Sequence, residues 1–305
     1  MYDTIGMFLE DSLLKEGLLT NSSESYNQMT GEAIIRGNYE NLRIKMNGNK
    51  VSVIGSLPKF YFGDNLQQLT RKDTEKAIEK ASDLLQLPLK ESKVFRLDVG
   101  SNFNLNEPLN NYYSCLGNLS RFKKSLIANK QSLLYTTTQK ALEFYDKSRE
   151  MKRSKQNIPA LFNGKNVLRY ELHLTRNIKN LLKIPELRTK HLFEESVYMK
   201  GIDFWKDSYF SIQRINRLKF NSEAIIMINA RKLKNQLALI GLKSIGESEL
   251  LEMIEANKGQ IKHREQISRM KDIVKELSKE KEFTEPNESI KELDSKVSRV
   301  AKYYR

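Results

Sequence analysis

The chain has 305 residues, with 52 Lys and Arg against 38 Asp and Glu, a net charge of +14 and an isoelectric point of about 9.5. That length can bury a full core and accommodates two domains, and a balance this basic points to a polyanion, either nucleic acid or an anionic membrane surface. No apolar stretch approaches the roughly 18 residues of a membrane span, and the opening Met1-Tyr-Asp-Thr-Ile-Gly6 lacks the basic start of a signal peptide. Membrane insertion and secretion are therefore not expected; the cytoplasm is. The single cysteine, Cys115, cannot close an internal disulfide, and no Cys/His spacing suggests zinc, so it is read as a small packed hydrophobe.

In chain order, the first clear element is a hairpin. Asn41 to Met46 and Lys50 to Ile54 alternate in polarity around Asn47-Gly48-Asn49, residues that tolerate the positive φ of a tight turn. From Thr70 or Asp73 to Leu87 the apolar residues Ala77, Ile78, Ala81, Leu84 and Leu85 recur at helical spacing, with Pro88 just beyond. Lys93 to Val99 alternates as a strand. Asn102 to Asn111 reads as a loop, followed by a short helical piece around Asn111 to Leu116. Ser132 to Thr137 predicts a strand paired as a hairpin with 141–147. Residues 148–164, rich in Lys and Arg, predict a loop before a third alternating segment, Asn166 to Thr175.

After residue 187 the alternation disappears and proline occurs once more, at Pro286. Helices are expected over 189–200, 202–219, 222–240, 247–257 and 259–282, with a final short one ending at Tyr303-Tyr304-Arg305. Within 202–219, Phe204, Trp205, Tyr209, Phe210 and Ile212 form an apolar face, which places Trp205 in a core and not on a base. The layout is α+β: an N-terminal domain over 1–187 built on a sheet, then an all-helical part over 188–305.

The chemistry lies in three of the strand segments. Side chains alternate faces along a strand, so Phe95, Leu97 and Val99 face one way and Arg96 and Asp98 the other. Leu142 and Phe144 oppose Glu143, Tyr145 and Lys147. Leu168, Tyr170, Leu172 and Leu174 oppose Arg169, Glu171 and His173. Such alternation is also what any half-solvated strand shows. If the three share a sheet with one buried face, however, carboxylates, a tyrosine, a lysine, arginines and a histidine gather on the other. Residues 140–190 hold 13 Lys and Arg against five Asp and Glu, which favours a phosphate backbone lying across that face.

The order Arg96-Leu-Asp98, Tyr145-Asp-Lys147 with Glu150, and Arg169-Tyr-Glu171 resembles the filamentous-phage gene II/X-type replication initiators and their plasmid relatives. The likeness runs over roughly residues 50–220, including the Leu57-Pro-Lys-Phe60 start and the Asn166-Val-Leu-Arg169 lead-in. It implies an antiparallel-sheet nicking domain like that of the HUH endonucleases. It implies also a tyrosine that attacks a DNA phosphodiester, leaving a 5′-phosphotyrosyl enzyme and a free 3′-hydroxyl to prime rolling-circle replication.

Carried over, Tyr145 is the nucleophile and Lys147 contacts the phosphate. Asp98 and Glu171 are ligands for Mg²⁺ or Mn²⁺, Glu150 and Arg169 support them, and Arg96, Arg149, Lys152, Arg153 and Arg169 meet DNA. The His-hydrophobe-His pair of better-known relatives is absent; Glu171-Leu-His173 has the same spacing, leaving His173 either a third ligand or a surface imidazole. Some initiators use two tyrosines, and Tyr135 and Tyr170 are near in sequence, although Tyr170 falls on the apolar face. The implied partners are origin DNA, single-stranded at the nick and duplex nearby, and a host helicase, in a bacterial cytoplasm and with no membrane. A non-catalytic DNA-binding replication regulator on the same fold is the alternative, and an RNA-binding or structural protein a third.

Overall fold

The computed structural model describes residues 1–10, 12, 14–15, 17–127, 131–154, 159, 162–215, 217–218, 230–261, 263–279, 284–285 and 287–304. Among these, ten strands form one antiparallel sheet: β1 (Tyr2–Leu9), β2 (Thr20–Tyr26), β3 (Ala33–Tyr39), β4 (Leu42–Asn47), β5 (Lys50–Ser56), β6 (Lys93–Leu105), β7 (Lys123–Ile127), β8 (Ser132–Thr136), β9 (Lys140–Asp146) and β10 (Asn166–Leu174). Their order is β2-β3-β4-β5-β1-β6-β10-β9-β8-β7. The expected hairpin is β4–β5, with Asn47 opposite Lys50 and Gly48 supplying the positive φ of the turn. The second is β8–β9, with Thr136 opposite Ala141. The α+β class holds, with this sheet N-terminal and helices C-terminal.

Two expectations are corrected on either side of the β8–β9 hairpin. Asn102 to Leu105 is strand and not loop: Phe103 and Leu105 are buried, β6 stays in register with β10 as far as Leu105 opposite Asn166, and Asn102 bonds the carbonyls of Asn65 and Leu66. Asparagine in a strand is tolerated where its amide has such partners. The predicted loop after residue 147 instead begins with a helix, Lys147–Arg153, because Asp146 caps it by accepting from the Arg149 amide at 2.9 Å and basic residues occupy its last turn. Lys147 therefore belongs to a helix start and not to a strand face. Asp146→Ala should cost about 1 kcal/mol of stability through the lost cap, read from denaturant unfolding of the full chain; an unchanged midpoint would mean that sheet packing alone holds the helix.

Among the described residues the α-helices are, in chain order, α1 (Leu57–Phe62), α2 (Arg71–Leu85), α3 (Leu109–Cys115), α4 (Lys147–Arg153), α5 (Ile178–Leu181), α6 (Glu195–Phe210), α7 (Ala230–Ile245), α8 (Glu247–Ala256), α9 (Arg264–Lys279) and α10 (Glu288–Tyr303). Thr70 and Asp73 form a reciprocal capping box at the start of α2, which buries Ala77, Ile78, Ala81 and Leu85. Where a break at Gly201 was expected, between helices over 189–200 and 202–219, α6 runs through it. That glycine lies against the Tyr2 ring, where an added Cβ would come within 3.2 Å of a ring atom. Its Trp205 is fully buried, stacked 5.1 Å from Tyr170 and 6.3 Å from Phe103, and its carbonyl accepts from the Tyr170 hydroxyl. The sheet's apolar face thus has an aromatic lid.

The chain divides into two compact units. The first comprises Met1–Asn110, Leu119–Ser211 and Glu292–Arg305; the second comprises Asn111–Asn118 and Ile212–Lys291. In the second, α7, α8 and α9 close on Leu242, Ile254 and Val274, Leu116 bridges Arg214, and Cys115 is buried with its thiol on the Asn111 carbonyl. Residues 216, 219, 222–229, 262 and 280–282 of the expected helices lie outside the described residues. The later part of α10 is a piece of the first unit: Lys296 bonds the Asn104 carbonyl, and Asp294 accepts from Tyr209 at 2.6 Å. A truncation at residue 221 would strip these contacts from the sheet. No described helix is long and apolar enough to cross a membrane.

Candidate active site and metal centre

The three polar-faced strands are neighbours, β6 beside β10 beside β9. Asp98 sits opposite His173, Glu171 opposite Glu143, and Arg169 opposite Tyr145. Residues directly opposite share a face, so the chemical groups converge on one side, while Leu97, Val99, Leu142, Phe144, Tyr170 and Leu172 are buried on the other. Phe95 departs from the expected face. A bulge between Gly6 and Met7 shifts the β1–β6 register there, and the Phe95 ring reaches over Gly6 on the polar side, 42% exposed.

Asp98, Glu171 and His173 each offer one ligand atom within 4.8 Å of the others. His173 Nδ1 is 3.0 Å from Asp98 Oδ2, and its Nε2 is 3.3 Å from Glu143 and 3.7 Å from Glu171 Oε2. Burial works against a charged ring, but Asp98, Glu143 and Glu171 outweigh it and push His173 up to about 10. Nδ1 is nonetheless buried without the alignment of a hydrogen bond. Two carboxylates and an imidazole with an unsatisfied buried nitrogen are a donor set that fits a hard or borderline divalent cation.

Glu171 faces two ways: Oε2 lies toward His173, while Oε1 accepts from Arg169 and from the Tyr145 hydroxyl at 3.3 Å. Burial, with the negative charge of Glu171, raises Tyr145 well above the ordinary phenol range, against the pull of Arg169. Arg169 is buried beneath, its guanidinium held by Glu171, Asp3, the Asn65 carbonyl and Asn102. Burial opposes ionisation of Asp3, but Arg169 and the Ser56 hydroxyl hold its carboxyl below the usual range; burial pushes Glu171 the other way. Lys147 is fully buried, bonded to Asn65 at 2.7 Å and to Glu150. Burial, then Arg169, lowers its pKa.

Residues 11–196 match the family described as the N-terminal part of the phage gene II replication-associated protein. The chain belongs to that family. It is the family of filamentous-phage gene II-type replication initiators that the motifs resemble, and the match covers β2 through β10 with Asp98, Tyr145, Lys147, Arg169 and Glu171. Asp3 precedes the matched span. No curated protein matches the chain.

In this family member the polar groups line a cavity of about 660 Å³. Asp3, Asp98, Glu143, Tyr145, Glu171 and His173 form its floor, and Lys59, Arg96, Arg149 and Arg153 its basic rim. Arg96 also makes a forked bond to Asp98, at 3.0 and 2.7 Å. Lys152 is exposed on α4 away from the cavity lining, and Lys147 and Arg169 lie below it. Tyr135 and Tyr170 are wholly buried among apolar neighbours, so neither stands beside Tyr145.

Asp3, Lys59, Asn65 and Gly100 were not among the expected site residues, and Glu143 was expected on the polar face but given no role. Gly100 is opposite Glu171, and a Cβ there would come within 2.8 Å of Glu171 Cγ and 3.1 Å of the Tyr170 carbonyl. Gly100→Ala should therefore displace Glu171 and weaken any divalent-cation binding at the Asp98–Glu171–His173 group roughly tenfold or more, as losing the support of a metal ligand does. Isothermal titration would detect it, and unchanged affinity would show that the strand yields instead.

Proposed function

We propose that the chain nicks and rejoins origin DNA through a phosphotyrosine at Tyr145, starting rolling-circle replication of a phage or plasmid. The observation that carries this reading is the Tyr145 hydroxyl within hydrogen-bond reach of Glu171, on the floor of a cavity that also holds the Asp98–Glu171–His173 ligand group and a basic rim. The Tyr145 oxygen attacks the scissile phosphorus, its proton passing to Glu171 Oε1. The bond to the 3′-oxygen breaks, and that oxygen takes a proton from a water that Glu171 reprotonates, so the proton lost by Tyr145 ends on the 3′-hydroxyl. Rejoining is the reverse. Asp98, Glu171 and His173 would hold Mg²⁺ or Mn²⁺, which supplies positive charge to the non-bridging oxygens and offsets the carboxylates that keep the phenol neutral.

Arg96, Arg149 and Arg153 draw the phosphates into the cavity, with Lys152 further along α4. Arg169 and Lys147, both buried, act as supports: Arg169 orients Glu171, and Lys147 fixes Glu150 and Asn65. Asp3 completes the support by balancing Arg169. The helical second unit is where origin sequence or a host helicase would be recognised.

The test is supercoiled plasmid carrying the replicon that encodes the chain, incubated with Mg²⁺ or Mn²⁺ and with chelator. Relaxed circles and a detergent-stable protein–DNA adduct in the metal lanes are the expected result. Tight DNA binding without either product would overturn catalysis and leave a non-catalytic replication regulator.

A further inference from the structure

The polar face of the sheet does not stop at the cavity. Across β6, β1, β5, β4 and β3 the register places Arg96, Gly6, Ile54, Arg43 and Asn38 in one row. The neighbouring row, from β1 outward, is Phe8, Ser52, Lys45, Arg36 and Ser23. Side chains opposite one another share a face, so Arg36, Arg43 and Lys45 project from the side that carries Asp98 and His173. All three are exposed. With Ser23, Asn38 and Ser52 they border a hollow of about 420 Å³, separate from the active-site cavity. No acidic residue occupies these two rows on β3, β4 or β5, whereas the opposite face of β4 and β5 is core: Leu42, Ile44, Val51 and Val53 are buried.

This face of the wing also lacks the aromatic side chains on which single-stranded bases stack, Tyr39 of β3 lying opposite Leu42 on the other face; Arg, Lys, Ser and Asn are phosphate-contacting residues. At about 4.8 Å per strand, Arg43 lies roughly 14 Å and Arg36 roughly 19 Å from the Arg96 strand. At about 3.4 Å per base pair, that is the length of four to six base pairs. Between wing and cavity stands one exposed ring, Phe95, turned onto this face by the β6 bulge and lying over the bare backbone of Gly6.

We propose that the β3–β4–β5 wing is a second DNA site, which holds the phosphates of the duplex flanking the nick while Phe95 caps the last base pair where the strand enters the cavity. It rests on the reading that the cavity acts on single-stranded origin DNA. Its contacts are sequence-independent and fix how far the nick lies from the duplex.

The test compares two probes by fluorescence anisotropy across a salt series. One is a single-stranded oligonucleotide of about 12 nucleotides, within the range of a single binding groove. The other has the same strand extended at one end or the other by about ten base pairs, one helical turn. The triple variant Arg36→Ser/Arg43→Ser/Lys45→Ser should bind the bare strand as wild type does. It should bind one duplex-bearing probe about tenfold or more weaker, with a log–log salt slope shallower by about two to three. Phe95→Ala should weaken that same junction probe and leave a fully paired duplex alone. Equal loss on bare and extended probes, or no loss on either extended probe, overturns the proposal, provided circular dichroism finds the variant folded. Nicking is read separately on the bare strand. Wild-type chain that fails to nick it while the wing variant shows the selective loss would sink catalysis and spare the wing.

Discussion

Tyr145→Phe is expected to abolish the covalent protein–DNA adduct and to reduce nicking by about 10⁴-fold or more, the scale on which removing a covalent nucleophile acts. The chain should still fold. The lost hydroxyl made one hydrogen bond, to Glu171 Oε1, and that oxygen keeps its bond from Arg169; a single neutral donor is worth about 1 kcal/mol. DNA affinity should be nearly unchanged, because the basic rim of Lys59, Arg96, Arg149 and Arg153 is untouched. The informative comparison is with Tyr135→Phe and Tyr170→Phe. Both rings are buried among Phe144, Trp205 and Tyr209 or their neighbours, so these variants should cost stability and keep the adduct. An adduct that persists in Tyr145→Phe and disappears in another tyrosine variant would move the nucleophile elsewhere.

The polar floor was legible because its signal is local. Arg96 and Asp98, Glu143 and Tyr145, and Arg169, Glu171 and His173 each alternate with apolar residues, and period two fixes a face once strand identity is known. What escaped the sequence depends on features with no local signature. β1 is a central strand whose residues Tyr2, Ile5, Met7 and Leu9 are buried, and Asp3 within it looks like an isolated acid. Its position comes from the register shift between Tyr2 and Ile5, visible only once β6 is paired. The same limit explains Phe95, which strict alternation sends to the core and a bulge returns to the polar side. Lys147 shows a different failure. Alternation continues one residue past the strand's end, and the N-cap signal of Asp146 ahead of Arg149-Glu150 outweighs it. Asn65 and Lys59 reach the site from segments with no alternation to read. The compact first unit needed long-range contacts too, since nothing in the composition of α10 indicates that its later turns bond Asn104 and Tyr209.

The two acids should fail differently when removed. Asp98→Ala deletes a carboxylate with 2% of its side chain exposed, but its partner Arg96 is one-third exposed and can turn to solvent, so the fold should tolerate the loss. Nicking should fall at least about a hundredfold and recover in part at high Mn²⁺, since the site would retain two of three donors for a cation that binds nitrogen and oxygen ligands more tightly than Mg²⁺. Glu171→Ala removes more. Its carboxylate joins the ligand group through one oxygen and holds Tyr145 and Arg169 through the other. Arg169, 2% exposed, would be left with Asp3 as its sole carboxylate partner, and breaking a buried ion pair from one side costs about 3–5 kcal/mol. Glu171→Ala should therefore lower the melting temperature markedly and stay inactive at any Mn²⁺ concentration. Glu171→Gln, which keeps the shape and an acceptor oxygen, should restore much of the stability without the activity. The decisive measurements are thermal unfolding and Mn²⁺-dependent nicking on the three variants side by side. If Asp98→Ala and Glu171→Ala both nick like wild type, the cation is held elsewhere. If Glu171→Ala is as stable as Asp98→Ala, the buried Arg169 network does not depend on Glu171 as the geometry requires.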